Sequence, residues 1–394
     1  MYFYIVVYIL LTSLVSTPIV VQGVGVAFGT IALLKMRHSL SELVLFVFLC
    51  ISLILSWFFV GFYSDNYVHA FVDEVRTNVL IRWFLSLLSA YIALKLIRQA
   101  FSEPNESKLT SALEVVLTVH LAAFIIQALF WNITGVVIDF SSLLGGQEAR
   151  YQYREYVRLT GLLLEPSTYA SVIFALSATL SLLYYSKSNE LSLGRGILLI
   201  ASAISALASL ATASIIYGSI LLVTLSILFL KKVRVSRVII TLTVLASAIL
   251  FSVLNEELIQ VLLVEKFYAS SGIRVNLVSY MMIERDIFLK LVGSSLMGIE
   301  QYLYDSTIPQ ESGSRYYSSL NDAGTLVFGM AYFGYIFFVL SIIISIYILR
   351  KSVPVFLLFV GLWLIKISFT HFMFFLPLFA ILLFKKPALK QEVK

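Results

Sequence analysis

Charge is what this sequence has least of: only 13% of its 394 residues are Asp, Glu, Lys or Arg, while 60% are hydrophobic. A soluble domain is charged at about a quarter of its positions, and no water-soluble fold hides so much apolar surface, so soluble classes are excluded. Cysteine is nearly absent. Cys50 stands alone inside an apolar run, which rules out a disulfide framework and a cysteine metal site. No Lys or Arg precedes Lys35, so the apolar stretch from Tyr2 to about Leu34 lacks the basic start of a secretion signal and is expected to be mature membrane structure. Internal repeats and low-complexity segments are also missing, which argues against the related halves of many transporters.

What is present is a series of apolar runs of membrane-crossing length, near 3–17, 19–34, 40–62, 78–97, 111–133, 161–186, 196–213, 214–230, 238–255, 326–349, 353–369 and 371–384. A hydrocarbon core of roughly 30 Å takes about 20 helical residues. The sequence thus predicts an all-α polytopic membrane protein of about twelve helices, with 1–394 as one integral membrane domain. Three continuous runs would overshoot the bilayer as single helices and are expected to break at Pro18, in the Ala211–Ser214 region and at His371.

Short loops rich in Lys and Arg orient the chain. Lys35 and Arg37, Arg98 and Lys108, Lys187 and Arg195, the cluster Lys231, Lys232, Arg234 and Arg237, Arg350 and Lys351, and the C-terminal lysines alternate with loops near 63–77, 134–160 and 256–325. The basic loops and both termini are expected in the cytoplasm, and the other loops on the outer side of the membrane. The last of these, about 70 residues long, exceeds what joining two helices requires. Within spans, Arg82 and Lys366 fall near outer ends, Glu42, Lys95 and Glu114 near inner ends, and only His120 lies deep, where helix packing or hydrogen bonding is its expected role.

The outer side favours arginine: Arg76, Arg82, Arg150, Arg154, Arg158, Arg274, Arg285 and Arg315 against Lys266, Lys290 and Lys366. Topology needs only charge, whereas a flat guanidinium grips phosphate oxygens bidentately. Salt bridges to Glu148, Glu155, Glu284 and Asp286 fit the same residues. Arg150, Arg154 and Arg158 recur every fourth residue among Tyr151, Tyr153 and Tyr156, so a helix there would align them on one face, over a sugar phosphate or over lipid headgroups. Ile273 to Leu291 reads as a helix opened after Ser270-Ser271-Gly272, with Arg274 and Arg285 about 16 Å apart on one face.

The most specific stretch is Arg158-Leu159-Thr160-Gly161-Leu162-Leu163-Leu164-Glu165-Pro166-Ser167-Thr168-Tyr169-Ala170. An Arg-x-x-Gly followed by Glu-Pro-Ser at a span entrance resembles the Wzy-type O-antigen and exopolysaccharide polymerases of the O-antigen ligase–polymerase superfamily. Arg150 and Gly161 match the Arg-x10-Gly pattern of some such periplasmic loops. Arg274 through the turn Gly293-Ser294-Ser295-Leu296-Met297-Gly298, then Ser318-Ser319-Leu320-Asn321-Asp322-Ala323-Gly324 before Phe333-Gly334-Tyr335, is similar to the family's late loop and its return to the membrane. The resemblance covers roughly residues 150–350, and beyond them only span count and loop placement.

The resemblance implies a GT-C-like, metal-independent glycosyltransferase without cofactor, joining undecaprenyl-pyrophosphate-linked oligosaccharide repeat units as donor and acceptor. It also implies a bacterial inner membrane, with the outer loops in the periplasm. Membrane lipid and a chain-length regulator are its implied partners, and nucleic acid is not. Arg158 and Arg274 would stabilise the leaving pyrophosphate, with Glu165 as general base, made basic by desolvation beside Pro166; helix capping fits Glu165 equally. Arg150, Arg154, Arg285, Arg315, Asp322, Tyr169 and His371 complete the expected substrate-contacting set, Asp322 and His371 being reserve bases. The long loop has no histidine, where related ligases carry a functional one, which favours polymerase over ligase. An O-antigen ligase acting on lipid A core and a lipid-linked oligosaccharide transporter are the alternatives.

Overall fold

In a hydrocarbon phase every backbone N–H and C=O must find its partner inside the protein, and apolar runs satisfy this as helices. The computed structural model describes residues 1–62, 67–68, 76–103, 107–153, 156–187, 192–229, 266–294, 299–300, 302–303, 320 and 323–385. Within them the helices are α1 (Tyr2–Ser13), α2 (Ile19–Leu34), α3 (Leu40–Phe62), α4 (Arg76–Ser102), α5 (Lys108–Thr134), the single turn α6 (Phe140–Leu143), α7 (Pro166–Lys187), α8 (Leu193–Ala208) and α9 (Thr212–Phe229). They continue as α10 (Lys266–Ser279), α11 (Ile287–Val292), α12 (Thr325–Lys351), α13 (Val353–Leu364) and α14 (Phe375–Leu383).

Among the described residues, five helices are long and apolar enough to cross a membrane and six more are shorter apolar helices. The expected run 238–255 lies outside the described residues. The chain breaks where overlong runs had to break. Pro18 caps α2, Leu210 turns between α8 and α9 with φ +54°, and residues 365–371 separate α13 from the 3-10 turn Phe372–Phe374 that leads into α14.

α7 is the axis of the bundle. Its membrane-length window is 94% buried, with α5, α8, α9, α13, α14 and α4 packed around it. Ala170, Ser171, Ala175, Ser177, Ala178 and Ser181 allow this, because small side chains let helix backbones approach closely. Gly361 of α13 continues the principle, since a Cβ there would collide with the Phe174 ring. The expected packing role of His120 fits its place: it is fully buried and its Nε2 lies 2.8 Å from Ser13 Oγ. Ser13 Oγ already donates to Leu10 O, so His120 Nε2 must be the protonated nitrogen.

Among the described residues, strand is confined to two small antiparallel ladders. β1 (Tyr67–Val68) pairs with β4 (Ile299–Glu300), and β2 (Gln152–Tyr153) with β3 (Tyr156–Val157). The first ties together two loops far apart in sequence, beside a second apolar cluster formed by Leu53, Trp83, Leu277, Tyr280, Phe328 and Tyr332.

The expected single helix from Ile273 to Leu291 is corrected. α10 starts earlier, at Lys266, passes into a π-helical turn at Tyr280–Glu284 and ends before Arg285, whose ψ of 147° is not helical. α12 is kinked at Gly334 (φ +63°, ψ −156°). A kink removes the hydrogen bonds one turn upstream, and the carbonyls left over, Met330 O and Ala331 O, accept instead from Arg285 at 3.1 and 2.8 Å. Leu291 explains the glycine: its backbone sits where a Cβ on Gly334 would be, 2.5 Å away.

Candidate functional site

The loop between α5 and α7 is built on one buried amide. Gln127 Oε1 accepts from the backbone N–H of Thr160 and of Gly161, both at 2.9 Å, while its Nε2 donates to Ile138 O at 2.8 Å. Gly161 holds φ +55°, and a Cβ there would meet the Tyr169 ring at 2.8 Å. Gly135, at φ +72°, has nothing within 4 Å of such a Cβ. Gly161→Ala is therefore expected to cost about 1–3 kcal/mol of backbone strain plus the ring clash, and Gly135→Ala the strain alone. Thermal midpoints of the two purified variants check the order.

The described residues on either side of 154–155 are paired strands, which corrects the conditional helix. Gln152 pairs with Val157 and Tyr153 with Tyr156, and Arg158 N donates to Tyr151 O at 2.7 Å. Spacing by four has no meaning at a period of two. Cross-strand geometry instead places Arg158 diagonal to Tyr153, with the guanidinium 5.2 Å from the ring centroid. Arg158 is only 8% exposed, it makes no ion pair among the described residues, and its Nε is buried without a hydrogen-bond partner. Burial pushes its pKa down, opposed by the nearby Glu165 and Tyr153.

Glu165 stands at the entrance of α7. Arg150 Nη1 reaches its Oε1 at 2.9 Å and Lys366 Nζ its Oε2 at 3.2 Å. The expectation of a carboxylate isolated against Pro166 is replaced by one shared between two cations. Lys366 comes from the break after α13, 201 residues away. Its signal was present in the sequence, since an ionisable residue between Ile365 and Ile367 is a functional candidate by default. Arg274 is half-buried on α10, within electrostatic range of Tyr217. The Tyr217 hydroxyl donates to Leu364 O at 2.9 Å, two residues before Lys366.

A cavity of about 100 Å³ is lined by Val15, Thr17, Ile19, Gln22, Arg82, Thr370, His371 and Phe372. Ser16, between the lining residues Val15 and Thr17, accepts from Leu164 N at 3.0 Å through its hydroxyl. Gln22 Nε2 donates to Thr17 O at 3.0 Å and shapes the rim. His371, expected as a reserve base, thus lies on a polar cavity within electrostatic range of Arg82. Arg82, one of the outer arginines of the sequence, lines the same cavity.

Other expected contacts fall elsewhere. Tyr169 is fully buried, stacked 4.8 Å from Phe124 with its hydroxyl on Ser205 at 3.1 Å, so it packs the bundle and offers nothing to a substrate. Arg285 is 2% exposed and committed to Glu300, at 2.6 Å from Oε1, and to the kink carbonyls, which corrects its expected substrate contact. Arg154, Arg315 and Asp322 lie outside the described residues.

No protein-family model, no curated protein and no solved structure matches this chain.

Proposed function

We propose that this protein is a polymerase of undecaprenyl-pyrophosphate-linked oligosaccharide repeat units, transferring a growing glycan from one lipid carrier to another at the periplasmic face of the inner membrane. The observation that carries the reading is Arg158: a guanidinium nine-tenths buried, without an ionic partner among the described residues, beside a carboxylate at the entrance of the central helix. A preorganised cation in a poorly hydrated place is what a developing pyrophosphate charge needs.

In the proposed reaction the acceptor hydroxyl gives its proton to Glu165 and its oxygen forms the new bond to the anomeric carbon. The bond from that carbon to pyrophosphate breaks, and undecaprenyl pyrophosphate leaves with the electron pair. Arg150 and Lys366 hold Glu165 in the resting protein. Phosphate oxygens of an arriving donor compete for both cations, which frees the carboxylate as a base only when donor is bound. In this reading the Arg82–His371 cavity receives a polar group of the second lipid-linked unit.

The test is direct. Purified full-length protein in lipid nanodiscs, given undecaprenyl-pyrophosphate-linked repeat units, is expected to form a ladder of longer lipid-linked products. A failure to lengthen them, with glycan instead appearing on added lipid A core or lipid-linked units merely crossing a vesicle bilayer, would overturn the reading in favour of ligase or transporter.

A further inference from the structure

The segment 282–292 has the polarity of a protein turned inside out. Its arginine is buried, whereas Ile283, Ile287 and Phe288 are 72%, 74% and 66% exposed, and Leu291 and Val292 are exposed as well. On the wheel of α11, Ile287, Phe288, Leu291 and Val292 form one face, with Asp286 and Lys290 opposite. Lys290 Nζ turns back to Ile283 O at 2.6 Å.

Depth follows from the contacts with α12. Tyr335 donates to Met282 O at 2.7 Å, Ser294 N to Ala331 O at 3.0 Å, and the Leu291 backbone abuts Gly334. The segment is therefore pinned level with residues 330–335. The basic end of α12, Arg350 and Lys351, belongs at headgroup level whichever side of the membrane it faces. Gly334 lies 16 residues from Arg350, or about 24 Å along an unbroken helix, short of the roughly 30 Å that spans the hydrocarbon. The exposed apolar face continues onto Ile336, Val339, Leu340 and Ile343 of the same helix.

We infer that 282–292 is a re-entrant interfacial segment whose apolar face is covered by lipid acyl chains of the leaflet opposite the Arg350 end. The buried Arg285–Glu300 pair is then the protein-side anchor, consistent with charges at membrane depth facing inward. An interfacial helix sinks about 5–10 Å into the headgroup–acyl boundary, which agrees with the depth above. This inference needs only that α12 crosses the bilayer, so it stands or falls separately from the polymerase reading.

The experiment uses full-length protein in nanodiscs with Cys50→Ser as background and single cysteines at 283, 288 and 284 carrying a nitroxide. Oxygen partitions into acyl chains and a nickel chelate into water. The ratio of oxygen to nickel collisions is expected to be several-fold higher at 283 and 288 than at 284, with thermal midpoints unchanged. Equal nickel access at all three sites would overturn the inference. So would spin–spin broadening at 283 and 288 that vanishes on dilution with unlabelled protein, because a second copy would then be the cover.

Discussion

Arg285→Ala is expected to lower stability more than any other outer arginine substitution, by about 3–5 kcal/mol, the range for removing one partner of a buried ion pair. The Glu300 carboxylate loses its cation and keeps only the Ser294 and Tyr280 hydroxyls, Met330 O loses its side-chain donor, and Ala331 O keeps the Ser294 N–H. Met330 O lies at the helix kink, where an unsatisfied buried acceptor costs its full desolvation, and Glu300 is left as a buried charge without its cation. Arg285→Lys is expected to recover little, since one ammonium cannot span both sides of the kink. Thermal unfolding in detergent measures the loss. The discriminating variant is Arg285→Met with Glu300→Leu, which removes the stranded charge and is expected to regain part of it. An Arg285→Ala midpoint equal to that of the parent would mean that the pair does not hold the loop to α12.

Arg158→Ala is expected to act in the opposite manner, leaving the midpoint nearly unchanged while product formation falls by about 10²–10³, the usual cost of one charge-stabilising donor. The pair of variants is expected to separate a structural role for Arg285, which the sequence pointed to as a substrate contact, from a chemical one for Arg158. Arg158→Lys is expected to rescue poorly, because the flat group over Tyr153 has no ammonium equivalent. Glu165→Gln should match the loss of product. Lys366→Met should affect donor affinity more than maximal rate, if its task is to meet phosphate before the chemistry. Chain-length ladders and initial rates with lipid-linked units give the readout, and unchanged ladders for Arg158→Ala and Glu165→Gln would dismiss this site.

How much of the site could be read in advance depended on how far apart in the chain its parts lie. The Arg158 to Glu165 run was legible because eight consecutive residues deliver a cation, a turn glycine and an acid to one span entrance. The strand pairing was not, since spacing by four among tyrosines fits a helix as well as loop geometry, and only the pairing of Gln152 with Val157 decides it. Tyr169 was misread because position four of a helix start says nothing about which way the ring points; Phe124 and Ser205, on two other helices, settle that it faces inward.

The sequence by itself determined that the chain is helical and membrane-bound, and where its long apolar runs must be interrupted. Hydrocarbon length and the demand for internal backbone pairing act on each segment alone, so local pattern suffices. Tertiary structure decided which charges are spent on one another and which remain available. Glu300 meets Arg285 and Lys366 meets Glu165 only when distant segments are brought together, and electrostatic pairing acts over a few ångströms of space however many residues of chain intervene.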